Sequence, residues 1–189
     1  MDNQNLEVVK KELPTLDALF KEDALETFKK QAALDILLNQ PPPAAWIKEH
    51  PTVKCKYLPI DKVEYLLTRV FLKWRLEVKT VQVIANSVCV TVRLHYQDIT
   101  TGEWDWQDGI GAAPMQTNAG AGATDFNQIK SAAVQMAAPA AESYAMKDAA
   151  EKLGKLFGKD LNRKDEISYD ASMQKIVSNI EERAAKILE

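Results

Sequence analysis

Cysteine and histidine are scarce, two of each in 189 residues, and that scarcity removes whole classes of protein. Two cysteines, Cys55 and Cys89, cannot build the disulfide framework of a small secreted domain, and no charged-then-apolar leader opens the chain, so a reducing cytoplasm is the expected setting. No metal centre is expected, because His50, Cys55, Cys89 and His95 lack paired ligand spacing. Cys89 and His95 share one side of a strand, but six residues of strand rise put their tips about 20 Å apart. Long apolar runs are missing too. Stretches such as 88–92 fall far short of the roughly 20 residues of a membrane helix, so a soluble protein with no membrane partner is expected.

Glycine is sparse, at seven residues, and is never arranged for phosphate binding. Gly109-Ile110-Gly111 and Gly120-Ala121-Gly122 lack the Gly-Lys-Ser/Thr ending of a P-loop and the third glycine of a dinucleotide fingerprint. ATP, NAD and other cofactors are therefore not expected. Overall basicity is also absent: the net charge is −3, which on average repels a polyanion.

What the chain does have is charge gathered in one place. Between Lys147 and Lys164 stand six basic residues (Lys147, Lys152, Lys155, Lys159, Arg163, Lys164) against three acids (Asp148, Glu151, Asp160). Lys152, Lys155, Lys159 and Arg163 recur at three- and four-residue steps beside Ala149, Leu153, Leu156 and Phe157, which predicts a basic amphipathic helix over 147–164. One face of such a helix packs and the other holds an anion. A solvated helix face is the commoner meaning of scattered lysines.

The length and a 46% hydrophobic content suit one packed domain with helical extensions. Leu16 to Leu38 predicts one or two N-terminal amphipathic helices, ended by Pro41-Pro42-Pro43. A helical turn carrying Trp46 follows, then an extended run over 52–58 with Val53, Cys55 and Tyr57 on one face, and a helix opening at Pro59 that Trp74 closes or follows. From Arg75 the apolar period drops to two. Val88, Val90, Val92, Leu94 and Tyr96 alternate with polar neighbours, and with 76–85 before and Trp104-Asp105-Trp106 after they predict a three-stranded antiparallel meander. Gly109, Gly111, Pro114, Gly120 and Gly122 read as a long loop, followed by an alanine-rich helix bent or interrupted at Pro139. Met173, Ile176, Val177, Ile180, Ala184 and Ile187 predict a final amphipathic helix. The fold class is α+β, with helices on one face of the sheet, and the chain divides into an N-terminal extension (1–43), a core (44–166) and a C-terminal helix (167–189).

Three constellations bear on chemistry. Glu103, Asp105 and Asp108 flank two tryptophans, and Glu103 with Asp105 on one strand face is the arrangement that holds magnesium or works as acid and base; acids interleaved in a strand are more often its solvent side. Trp74, Trp104 and Trp106 read as core aromatics between sheet and helix. Tyr57, between Lys54, Lys56 and a helix start, suits contact with a base or a phosphate.

Taken in order, Lys56-Tyr57-Leu58-Pro59-Ile60, Val63-Glu64, Phe71-Leu72-Lys73-Trp74, Val90-Thr91-Val92-Arg93-Leu94, Asp108-Gly109-Ile110-Gly111, and the segments from Ala145 to Ala150 and from Leu156 to Asn162 resemble the annealing domain of the Rad-fifty-two type single-strand annealing proteins, phage recombinases included. The resemblance covers about residues 52–164. It implies a β-β-β-α core, assembly into a homo-oligomeric ring, and a basic groove in which single-stranded DNA is bound and complementary strands are paired without ATP and without a catalytic step, as homologous recombination and repair require. Carried over residue by residue, it implies that Lys152 and Lys155 grip the DNA backbone and that Tyr57 lies in the groove. Lys159, Arg163, Lys56 and Arg93 complete the expected DNA-binding set. Lys147 stands where a small polar residue is usual and Glu151 where a basic residue is usual, so the groove charge is rearranged. An exonuclease or a single-strand binding protein is the expected further partner, in a bacterial cytoplasm and from a phage or mobile element. Two competing readings are a protein-interaction module with a solvated basic helix and, ranked last, a metal-dependent nuclease using Glu103 and Asp105.

Overall fold

The computed structural model describes residues 22–51 and 53–163. The helix expected over 167–189 and the N-terminal residues before Glu22 lie outside them. Helix α1 (Glu22–Leu38) stops short of the three prolines, and a 3-10 turn (Ala44–Trp46) follows. Next come two short strands, β1 (Lys48–Glu49) and β2 (Lys56–Tyr57), helix α2 (Ile60–Val70), and the long strands β3 (Trp74–Ile84), β4 (Ser87–Gln97) and β5 (Trp104–Pro114). A 3-10 turn (Phe126–Gln128), helix α3 (Ala133–Glu151) and a last 3-10 turn (Lys155–Phe157) complete the described chain. The fold is α+β, and the long strands form the expected antiparallel meander, β3-β4-β5.

Strand β4 buries Val88, Val90, Val92, Leu94 and Tyr96 and turns Cys89, Thr91, Arg93, His95 and Gln97 the other way, so its sequence alternation is its packing. Removing such side chains from water is worth about 1.5–3 kcal/mol each, which makes this strand the hub of the core. Val63, Leu66, Leu67 and Val70 of α2 join the same cluster, as do Leu34 and Leu38 of α1. Thr100 Oγ1, in the β4–β5 turn, also donates to Gln31 Oε1 of α1 at 2.7 Å.

Helix α3 covers the sheet through its smallest residues. Ala133, Ala137, Ala141, Ala145 and Ala149 recur every fourth position and are buried. Facing them are Gly109 and Gly111, which were expected in a loop but lie within β5, opposite Val92 and Val90. A Cβ on Gly109 would strike the backbone of Ala145 and Ala149, and one on Gly111 the backbone of Ala141 and Ala145. These glycines serve close approach and not a turn, which is why a turn signal misplaced them. Pro139 does not interrupt α3. It and Gln135, the residue whose carbonyl loses a donor, are both exposed, so the carbonyl is left on the solvent side of the helix.

Other expectations need correction. The basic helix over 147–164 is not continuous, because α3 ends at Glu151 and Gly154 takes a φ of +154°. A side chain on Gly154 would also strike the carbonyl of Leu38, so the chain leaves the helix there to meet α1. The 3-10 turn that follows drives Leu156 and Phe157 into the core, where Phe157 stacks on Phe71 at 6.4 Å. Three-residue spacing survives in a 3-10 turn, and this is what made the segment read as helix. The extended run over 52–58 shrinks to β2. Lys54, at φ +56°, and the bond from His50 N to Cys55 O (2.8 Å) close a hairpin that leaves Val53 exposed, not on a shared face with Cys55 and Tyr57. Of the two readings of Trp74 the second holds: it follows α2 and opens β3, and its indole donates to Thr68 Oγ1 at 3.0 Å. Trp104 and Trp106 are not core: they are 48% and 47% exposed, on the sheet face turned away from α3.

The free edge of β5 is covered by the end of α3. Ile110 N donates to Asp148 Oδ2 at 3.0 Å, and Lys152 Nζ donates to the carbonyl of Asp108 and lies 3.2 Å from Asp148 Oδ2. Edge groups that would otherwise template another strand are thereby occupied.

Candidate nucleic-acid interface

A side-chain amide holds the β1–β2 hairpin in place. Asn162 Oδ1 accepts from Lys56 N at 2.7 Å and Asn162 Nδ2 donates to Lys56 O at 2.7 Å, so the amide acts as an extra strand partner for β2. Leu58, just beyond, is buried and anchors the strand to the core. Tyr57 is thus presented from a fixed backbone towards α3, and Lys56 stands exposed beside it.

Helix α3 answers with a second stripe, separate from its alanines. Tyr144, Lys147, Asp148 and Glu151 follow at three- and four-residue steps and share one face. Lys147 Nζ lies 4.6 Å from the Tyr144 ring centroid and 5.1 Å from that of Tyr57, bracketed by two aromatic rings from different elements. Each such contact is worth about 0.5–2 kcal/mol, more as water is excluded. Between the hairpin and α3 lies a groove of about 840 Å³, lined by Lys56, Tyr57, Tyr144, Lys147, Glu151 and Asn162 among others. Burial pulls the Lys147 ammonium below its ordinary pKa, opposed by the nearby Glu151 charge. Burial likewise pushes the Glu151 carboxyl up, and the Asp148 charge adds to the rise. The groove therefore combines aromatic faces, a partly desolvated cation and an acid that resists ionisation.

The expected DNA-binding residues are held in different ways. Lys56 and Tyr57 line the groove. Lys152 is engaged on the β5 edge, as described. Lys155 begins the 3-10 turn, Lys159 is exposed beyond it, and Arg163 Nε lies 3.2 Å from Asp160 Oδ1. Arg93 sits on the outer face of the sheet, bonded to both oxygens of Asp108 at 2.7 and 2.8 Å, with its guanidinium 3.7 Å from the Trp106 centroid. That guanidinium holds the Asp108 carboxyl below the usual aspartate range. On the same face Arg75 lies 5.4 Å from the Trp104 centroid.

Sequence reasoning did not single out Tyr144, took Asn162 only as the end of a segment of resemblance, and counted Lys147 and Glu151 among the charges of 147–164 and as departures from a pattern. The signal for three of them was present, since Tyr144, Lys147 and Glu151 keep helical spacing beside the alanine stripe. Asn162 carried none, because its partner lies 106 residues away.

The acids read as a candidate magnesium pair lie at the start of β5. Glu103 precedes β5, whereas Asp105 faces the helix side, where its Oδ2 accepts from the Tyr96 hydroxyl at 2.9 Å. Burial and this bond push the Tyr96 phenol up to about 12. Among the described residues, no group of three or more His, Cys, Asp or Glu is placed to hold a metal ion, and no helix is long and apolar enough to cross a membrane. No protein-family model matches the chain, and no curated protein matches it.

Proposed function

We propose that this protein binds single-stranded DNA and pairs complementary strands without ATP, acting as an oligomer. The observation that carries the reading is Lys147 held between the rings of Tyr57 and Tyr144 at an open groove beside Lys56. Unpaired bases stack on aromatic rings whatever their sequence, and an ammonium among those rings meets the phosphates between them. The β-β-β-α order and the resemblance to single-strand annealing proteins support the same reading. A chain of net charge −3 has to focus its cations to hold a polyanion, and an assembly of copies multiplies the groove. The outer half of β3 suits contact between copies, because Val78, Val81 and Val83 on its helix side are exposed beyond the reach of α3.

Two complementary oligonucleotides mixed with micromolar protein, at low salt and without nucleotide, should pair faster than they do alone. An unchanged pairing rate would sink the proposal. Binding should weaken steeply with salt, with a log–log slope of roughly −0.7 for each phosphate contacted.

Affinity should also depend on pH. Glu151 faces Lys147 and Asp148 on α3, with His50, Cys55, Lys56 and Tyr57 across the groove on the hairpin side. Because its carboxyl titrates above the ordinary glutamate value, it loses its charge sooner as pH falls, and the groove becomes more positive. On the alkaline side Lys147 gives up its proton below the ordinary lysine value and the groove becomes less positive. Oligonucleotide affinity, followed by fluorescence anisotropy at constant ionic strength, should rise towards acid pH and fall towards alkaline pH. Glu151→Gln should remove the acid limb of that profile; a profile unaltered by this change would place Glu151 outside the bound interface.

A further inference from the structure

The outer face of the β3-β4-β5 sheet is turned away from the groove, with α3 packed on the opposite side. Trp104 and Trp106 project from it, two residues apart on β5 and so about 7 Å from one another along the strand. Arg75 lies over the first ring and Arg93 over the second, at 5.4 and 3.7 Å from the centroids. Asp108 fastens Arg93 with two bonds, while Arg75 has no carboxylate partner among the described residues. Both indoles thus keep nearly half their surface open to solvent at positions set by the register of the sheet.

Resting on the annealing reading, we infer that this face is a second stacking surface for unpaired bases, holding a single strand apart from the one in the groove. Its chemistry differs from that of the other exposed apolar patch. The valines of β3 form an aliphatic strip with no cation over it, which suits a second copy of the chain. Beside the tryptophans stand His95, Gln97 and Glu77, the last bonded to His95 and Lys79, polar groups that a protein–protein core would have to desolvate. Two flat rings spaced along one strand, with guanidinium groups beside them, match successive bases and their phosphates. Arg75 is the cation available for a phosphate, whereas Arg93, tied to Asp108, steers its ring.

The full-length protein is titrated with oligothymidylate while tryptophan emission and the anisotropy of a labelled strand are followed together. Bases stacked on Trp104 and Trp106 should quench the emission. The conservative Trp104→Phe, Trp106→Phe pair should lose most of that quenching and still bind. Trp104→Ala with Trp106→Ala should weaken capture of a second strand by protein already loaded with a first, by roughly five- to 150-fold for each base unstacked. Arg75→Glu should weaken the same step. Quenching that survives in the Phe pair, with binding intact, overturns the inference and leaves the groove reading standing. An Ala pair that changes particle size in light scattering without changing strand capture overturns it too, and makes the face a contact between copies. Wild-type protein showing no anisotropy change at low salt overturns both.

Discussion

Lys147→Glu should lower affinity for single-stranded DNA by about a hundredfold or more. The substitution removes the ammonium from between Tyr57 and Tyr144 and sets a third carboxylate beside Asp148 and Glu151. A charge-assisted contact from the ammonium to a phosphate is worth about 1.5–3 kcal/mol, and repulsion from the new carboxylate adds to its loss, together about two orders of magnitude. Lys147→Met keeps much of the aliphatic stem against the rings and separates charge from packing; it should lose less than the glutamate variant while melting close to the parent. Anisotropy titrations of one labelled oligonucleotide at one salt concentration give the comparison. Lys159→Glu, at an exposed position beyond the last 3-10 turn, should cost far less. If Lys147→Glu binds as the parent does, the strand lies elsewhere on the molecule.

A large effect on stability is expected at Gly111. Gly111→Val places branched carbon where the backbone of Ala141 and Ala145 already lies, and neither helix nor strand can withdraw without opening the Ala133–Ala149 contact. Overpacking of a core usually costs about 1–3 kcal/mol, and here the obstacle is backbone and not a mobile side chain, so a loss of about 3 kcal/mol or more is expected. For a domain of this size that lowers the melting temperature by about 6–12 °C. Gly102 is the contrasting case. It has φ +72° with open space around it, so Gly102→Ala meets no clash and should cost only about 1–2 kcal/mol of left-handed strain. Thermal or urea unfolding of the two variants beside the parent checks both values. A Gly111→Val protein that melts with the parent would mean that α3 does not rest on β5.

Much of the fold could be read from periodicity. The two-residue alternation of 88–96 specifies both the strand and its buried side, because successive side chains in a strand must point oppositely. The helical stripe from Val63 to Val70 and the stop before the prolines are equally local. Errors arose where one residue type serves two physical purposes. Glycine marks turns when it supplies unusual φ, and close packing when it supplies absence of bulk; Gly109 and Gly111 belong to the second kind. Alternating tryptophans announce a strand face without saying which one, and Trp104 and Trp106 went outward because Tyr96 pairs with Asp105 and His95 with Trp106.

The candidate site was legible only in its parts. Tyr57 and Lys56 stood out through their basic neighbours, but the residue that holds their strand, Asn162, comes from the far end of the described chain. Lysines counted as a single basic face do not share one helix, because α3 ends at Glu151 and the chain turns away at Gly154. By itself the sequence determined the elements whose logic is local: strand alternation, helical stripes, proline boundaries and the α+β class. Only the tertiary structure decided which face of the meander met α3, which cations reached the groove, and that Lys147 would stand between two rings. Those outcomes depend on register and on contacts between residues remote in the chain, which no local spacing encodes.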